Sequence, residues 1–195
     1  MSIGRVYGLQ IAKEKLQKKE FNCIVIGKNS LDLSCNSLLQ SNINNSIIAN
    51  RKDDLSKLFV NVVGKEEEIK ACHLKIKLLF SYYFDLFNSF ISNIDNICVK
   101  LYTVEEPECS KYHVDYLSLR MLTTLAGPPT EIISNQFIKR NPLEVIGKPF
   151  GLFAGEILLM KGEHWPNNNG NGIVHRSHFS NEKRLIFSID DMVLL

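Results

Sequence analysis

The sequence holds no Cys-x-x-Cys pair, no glycine-rich phosphate loop and no internal repeat. Its cysteines, Cys23, Cys35, Cys72, Cys98 and Cys109, are odd in number and irregularly spaced. That argues against a disulfide framework and a thiolate zinc site, and for a reducing compartment. An excess of one charge is missing too. The 23 Lys+Arg stand against 21 Asp+Glu, a net +2. Bulk-charge binding of nucleic acid or of a membrane surface is therefore disfavoured. There is no long hydrophobic run. The most apolar segment, 78–91, is interrupted by Ser81, Asp85, Asn88 and Ser89, and is too short and too polar to span a bilayer. Met1-Ser2-Ile3-Gly4-Arg5 leads into no apolar stretch with a small-residue cleavage site, so no secretory signal and a cytoplasmic location are expected. The polar loop 162–172 lacks the strand-Gly-x-Gly-helix context of a phosphate cradle.

What is present is enough for one core. Apolar residues make up 45% of 195 residues, which predicts a single domain over 1–195. Residues 1–20 are polar and lysine-rich and predict a short surface helix or loose arm. The apolar run Phe21-Asn22-Cys23-Ile24-Val25-Ile26 predicts a buried strand, and the Asn/Ser-rich stretch 28–64 predicts short helices. The clearest helix is predicted over 66–92. Glu66, Glu67 and Glu68 suit its first turn, and Ile69, Cys72, Ile76, Phe80, Tyr83, Phe87 and Phe90 recur at three- and four-residue steps. From 97 onward the texture becomes short strands (97–104, 114–125, 131–134, 149–153, 157–160, 172–174, 184–195) divided by Gly, Pro and Asn turns. The expected fold class is α+β: a mainly helical portion over 1–96 with one strand near 21–26, packed on a jelly-roll β core over 97–195.

One constellation carries chemistry: His113-Val114-Asp115, and His175 far downstream. Two residues apart on a strand, His113 and Asp115 would share a face. A second histidine from a neighbouring strand would complete a set of two imidazoles and one carboxylate. That set holds one face of an octahedral Fe(II) and leaves other positions open. The same three side chains also suit four-coordinate Zn²⁺, so a non-catalytic zinc-binding protein is the alternative. A metal-free jelly-roll binding module is the third reading. Singly, His113 and Asp115 read as a surface pair and His175 as a core histidine. The order and the company are what argue for a metal. Arg120 lies at an odd offset from His113 and would face away on a regular strand, either in an ion pair or in a pocket wall. His164 and Trp165 are placed in packing, at the surface, or in a lid. Cys109 would lie close to the metal.

Two resemblances follow from these residues. The segments 109–131, 155–166 and 172–177 resemble the core of an uncharacterised bacterial family, domain of unknown function eighteen twenty-six. The likeness covers roughly 97–191, with a weaker echo near 21–35. Ser110-Lys111, Pro129 and His178 depart from that family's pattern and bear on loop shape. The triad and the segment Gly155-Glu156-Ile157-Leu158-Leu159-Met160 resemble the Fe(II)/2-oxoglutarate oxygenase superfamily. That resemblance implies an Fe(II)- and 2-oxoglutarate-dependent hydroxylase with His113, Asp115 and His175 on the metal. Arg184 would hold the far carboxylate of the co-substrate, aided by Ser188, with Arg176 competing for that role and Thr124 lining the pocket. The partner implied is a small-molecule co-substrate; the primary substrate is left open.

Overall fold

The computed structural model describes residues 2–27, 39, 42–50, 52–63, 73–91, 95–106 and 109–192. The described elements run β1 (Ser2–Val6), α1 (Leu9–Leu16), β2 (Phe21–Ile26), β3 (Asn44–Asn50), α2 (Leu55–Val63), α3 (His73–Phe90), β4 (Asn96–Val104) and β5 (Leu119–Ala126). They continue with β6 (Glu131–Ile133), β7 (Ile138–Arg140), β8 (Leu143–Val145), β9 (Ile157–Lys161), β10 (Val174–Arg176) and β11 (Arg184–Asp191). Seven strands form the main sheet in the order β1-β2-β9-β5-β11-β4-β3. Its pairings are antiparallel except β1 with β2. A smaller sheet pairs β10 with β6, and β7 with β8 forms a separate hairpin.

Alternation along β11 shows how the main sheet divides its two faces. Leu185, Phe187 and Ile189 join the larger core, where α2 and α3 supply Leu58, Phe59, Phe80, Tyr83 and Phe87. Arg184, Ile186, Ser188 and Asp190 point the other way, and Ile186 joins a second cluster with Leu122, Ile132, Leu158 and Met160. Because β11 is buried on both faces, its polar residues are themselves enclosed: Arg184, Ser188, Asp190 and Asp191 are all buried. Buried polar groups need partners. The face away from the helices is where those partners gather.

The helical stripe predicted over 66–92 reaches the core through Ile76, Phe80, Tyr83, Phe87 and Phe90, all buried on α3. Glu66, Glu67, Glu68, Ile69 and Cys72 lie outside the described residues, as do Cys35 and the predicted short helices within 28–38. Phe187 joins helix to sheet, meeting Phe80 edge-on at 5.7 Å and stacking on Tyr83 at 5.3 Å.

The first half is less helical than its composition suggested. Residues 1–20 contain β1 followed by α1, and 44–50 form β3. β1 is short and mixed in character and takes its backbone partners from the apolar β2. β3 pairs along its full length with β4. In both cases a neighbouring strand with open hydrogen-bonding groups decides the conformation over local propensity. In the second half, 149–153 is not a regular strand, although Phe150 N–H donates to Ile132 O at 2.8 Å. The Asn141-Pro142 turn closes the unforeseen hairpin β7–β8.

Phe187→Ala would remove the ring that links α3 to β11. A stability loss of about 3–5 kcal/mol is expected in urea unfolding, the usual cost of deleting a buried phenylalanine.

Candidate metal centre

His113 and His175 face one another across an isolated antiparallel bridge. Each donates its backbone N–H to the other's carbonyl at 3.0 Å, which attaches residue 113 to β10 as a third member of the small sheet. The two imidazole centroids are 4.4 Å apart. His113 is therefore held by a bridge to a distant strand, not by a strand of its own, because residues 114–118 are irregular. Asp115 still reaches both rings: its carboxylate oxygens lie 3.9 Å from His113 Nε2 and 3.3 Å from His175 Nε2. One donor atom from each of the three lies within 4.8 Å of the others.

The donor set fits a divalent metal. His113 Nδ1 lies 3.0 Å from Lys111 O, and His175 Nδ1 lies 3.2 Å from Ile173 O. A carbonyl can only accept, so each Nδ1 carries the proton and each Nε2 turns a lone pair inward, the tautomer a metal-binding histidine needs. Burial drives the His175 pKa down to about 4, with His113 and Arg120 adding to the shift and Asp115 opposing it. The imidazole is thus neutral at physiological pH.

The loop that presents Asp115 is fixed from two sides. Gly162 N–H donates to Ser118 O at 2.9 Å, Glu163 N–H to Asp115 O at 3.0 Å and His164 N–H to Leu117 O at 3.1 Å. A Cβ at Gly162 would overlap the carbonyl oxygens of Leu117 and Asp115, so only glycine admits this approach. From the sheet, Asp191 accepts the N–H groups of Ser118 and Leu119, each at 3.0 Å.

Arg120 faces the site, contrary to the offset argument, because the irregular 114–118 segment breaks the two-residue alternation. Its guanidinium reaches Asp115 at 2.7 Å and grips Asp190 through Nε at 2.6 Å and Nη2 at 2.8 Å. It is both an ion pair and a cavity wall. Burial favours loss of its proton, but the hydrogen bonds and charge of Asp190, with Asp115 behind, outweigh this and raise its pKa.

The triad opens on a cavity of about 400 Å³. Ser188, Arg176, Cys109, Arg120 and Leu122 line it as well, together with Lys100, Tyr102 and Thr130, which the sequence reading did not single out. The signal for Lys100 and Tyr102 was the alternation Cys98-Lys100-Tyr102 against Ile97-Val99-Leu101 within one strand. Of the two competing arginines, Arg176 is engaged: Nε donates to Glu131 at 2.8 Å and its guanidinium lies 4.3 Å over the Tyr112 ring. Arg184 is buried at the far end of the same β11 face, donating to Pro128 O at 2.8 Å and to Thr130 Oγ1 at 2.9 Å. Gly127, at φ 85°, closes the turn onto this arginine. Thr124, opposite Ile186, is buried just outside the cavity wall with its hydroxyl unmatched among the described residues. Trp165 packs on the helix-side core and His164 lies beside the Tyr116 ring; neither lines the cavity.

A family model described as Protein of unknown function (DUF1826) matches residues 32–190. The chain belongs to this family. The match extends further toward the N-terminus than the segments that carry the resemblance in sequence, taking in β3, α2 and α3. None of the curated proteins compared matches the chain. Among solved structures, it is similar to the dioxygenase for auxin oxidation from Arabidopsis thaliana in complex with 2-oxoglutarate: TM-score 0.58, 9% identity, 100% of this chain and 93% of that one covered. It is similar to a protein assigned to the 2OG-Fe(II) oxygenase family from Caulobacter crescentus, with TM-score 0.53, 12% identity and 98% and 87% covered. The rice dioxygenase for auxin oxidation gives TM-score 0.50 at 9% identity, with 99% and 83% covered. At these identities the likeness is one of fold. The DUF1826 chain is a mixed α/β protein, mostly sheet, with the architecture of these oxygenase structures. Among the described residues no helix is long and apolar enough to cross a membrane.

Two outcomes follow. His175 is buried neutral, so the metal-free folded state resists a proton that the unfolded chain accepts near pH 6.5. Its contribution is complete above about pH 6.5 and is lost as the pH falls toward about 4. Urea midpoints across that window should fall with pH, and His175→Gln should flatten the slope. Arg120→Met would strand two carboxylates. A loss of about 3–5 kcal/mol is expected by the same assay, as for other buried pairs that lose one member.

Proposed function

We propose that this DUF1826 chain is a non-haem Fe(II)- and 2-oxoglutarate-dependent oxygenase of the hydroxylase type. The observation that carries the proposal is the pairing of His113 with His175, each ring's Nδ1 on a backbone carbonyl and each Nε2 beside Asp115. His113, Asp115 and His175 would hold the metal. When bound, iron would supply the activation of O₂ that couples loss of CO₂ from 2-oxoglutarate to hydroxylation of a substrate.

The chain's own residues do the rest. The backbone carbonyls of Lys111 and Ile173 keep both imidazoles in the binding tautomer. Arg120 takes one Asp115 oxygen, orienting the carboxylate and leaving its other oxygen to the metal. Arg184 would bind the far carboxylate of 2-oxoglutarate, with the Ser188 and Thr124 hydroxyls between it and the triad. A buried guanidinium suits that carboxylate through paired N–H donors. Arg176 is ion-paired with Glu131, while Arg184 donates to the neutral oxygens of Pro128 and Thr130, which favours Arg184 for the role.

The test is an anaerobic titration of the Fe(II)-loaded protein with 2-oxoglutarate, following the weak visible charge-transfer band of a keto acid on ferrous iron. The band should saturate in the wild type, vanish in His175→Ala and require at least tenfold more co-substrate in Arg184→Ala. Tight metal binding with no band would leave the zinc-binding reading in its place.

A further inference from the structure

The cavity at the triad does not end at the metal centre. Register across the main sheet sets Leu122, Ser188, Lys100 and Ser46 opposite one another on β5, β11, β4 and β3. The next row is Thr124, Ile186, Tyr102 and Asn44. A second cavity of about 220 Å³ lies over the outer part of these rows, lined by Asn44, Asn45, Ser46, Lys100 and Tyr102. Lys100 and Tyr102 belong to both cavities, so the two adjoin along β4. Together they form a trough from the triad to the edge strand.

The charges along this trough are unequal in their partners. Arg120 is matched by Asp190 and Asp115, and Arg176 by Glu131. Among the described residues, no hydrogen bond or ion pair engages the Lys100 ammonium. A cation held unmatched in a polar cleft focuses its field on whatever anion enters. Asn44 and Ser46 add neutral donors on the β3 side. Lys100 stands two strands out from Leu122, about 10 Å at the usual strand spacing.

We propose that Lys100 anchors the anionic group, carboxylate or phosphate, of a small organic primary substrate that lies along this trough with its oxidised carbon toward the triad. The assignment rests on the oxygenase reading for what happens at the far end, but the anion site itself does not need iron. Arg184 stands four residues along β11 from Ser188, the residue opposite Lys100, so co-substrate and substrate would each meet a separate cation.

The test uses the metal-free full chain and ligand-observed NMR with three probes: benzoate, phenyl phosphate and the neutral benzamide. The two anions should bind saturably and benzamide should not. Lys100→Met should weaken the anions at least tenfold, and Lys100→Arg should restore most of the affinity. In the Fe(II)-loaded protein, Lys100→Met should leave the 2-oxoglutarate titration within twofold of wild type. Anion binding that is absent, or unchanged in Lys100→Met, overturns the proposal. A tenfold loss of 2-oxoglutarate affinity in Lys100→Met also overturns it, because Lys100 would then serve the co-substrate. If the wild type shows no charge-transfer band while anion binding still depends on Lys100, the oxygenase reading fails and the anion anchor stands.

Discussion

The guanidinium of Arg120 lies between two carboxylates, Asp190 across the β5–β11 pair and Asp115 on the loop that arrives from β4. A buried cation in that position costs much desolvation and is tolerable only if both carboxylates stay where they are. The requirement couples the sheet to the site. Asp190 fixes the arginine, the arginine fixes Asp115, and Asp115 lies against the two histidines. Asp191, next on β11, holds the same loop through its backbone N–H groups. Two adjacent acidic residues at the end of one strand therefore govern the placement of a carboxylate that is remote from them in sequence.

The sheet keeps its two tasks apart by the alternation of its strands. Leu185, Phe187 and Ile189 of β11 join the helix-side core, while Ile186 and Ser188 face the cavity. Substituting one set need not disturb the other directly, because they lie on opposite sides of the same backbone. The charged residues of this side are admissible in a buried strand because they meet partners: Arg184 meets Thr130 and Pro128, and Asp190 meets Arg120. The small sheet closes the site from the other side. Its outermost member is a single residue, His113, attached by two backbone hydrogen bonds to the residue whose ring it must face.

Much of this could be read from the chain. The strands β4, β5, β6, β9 and β11 announced themselves by alternation and turn residues, and α3 by its apolar stripe, while the predicted strand at 149–153 did not form and the β7–β8 hairpin was not foreseen. The convergence of His113, Asp115 and His175 was legible from chemistry and order. What could not be read were β1 and β3, whose mixed sequences become strands where β2 and β4 offer them hydrogen-bonding edges. Both roles read for Arg120, ion pair and cavity wall, are present; only its direction was not legible, because an offset argument holds only on a regular strand and residues 114–118 are not one. Lys100 was passed over because a single lysine in an apolar run reads as a solvated side chain until its neighbours on three strands are known.

The sequence by itself determined which donors exist, two imidazoles and a carboxylate in an order that lets them meet, and which segments alternate in a way that suits a sheet. Those are local properties, set by side-chain chemistry and by the two-residue period of an extended backbone. Only the tertiary structure decided that His113 pairs with His175, that Arg120 binds Asp115, that Arg176 is taken by Glu131, and that Lys100 looks into the same trough as the triad. Each of these depends on register between strands distant in sequence, and register is set by which edges meet and where the chain bends, which no local pattern records.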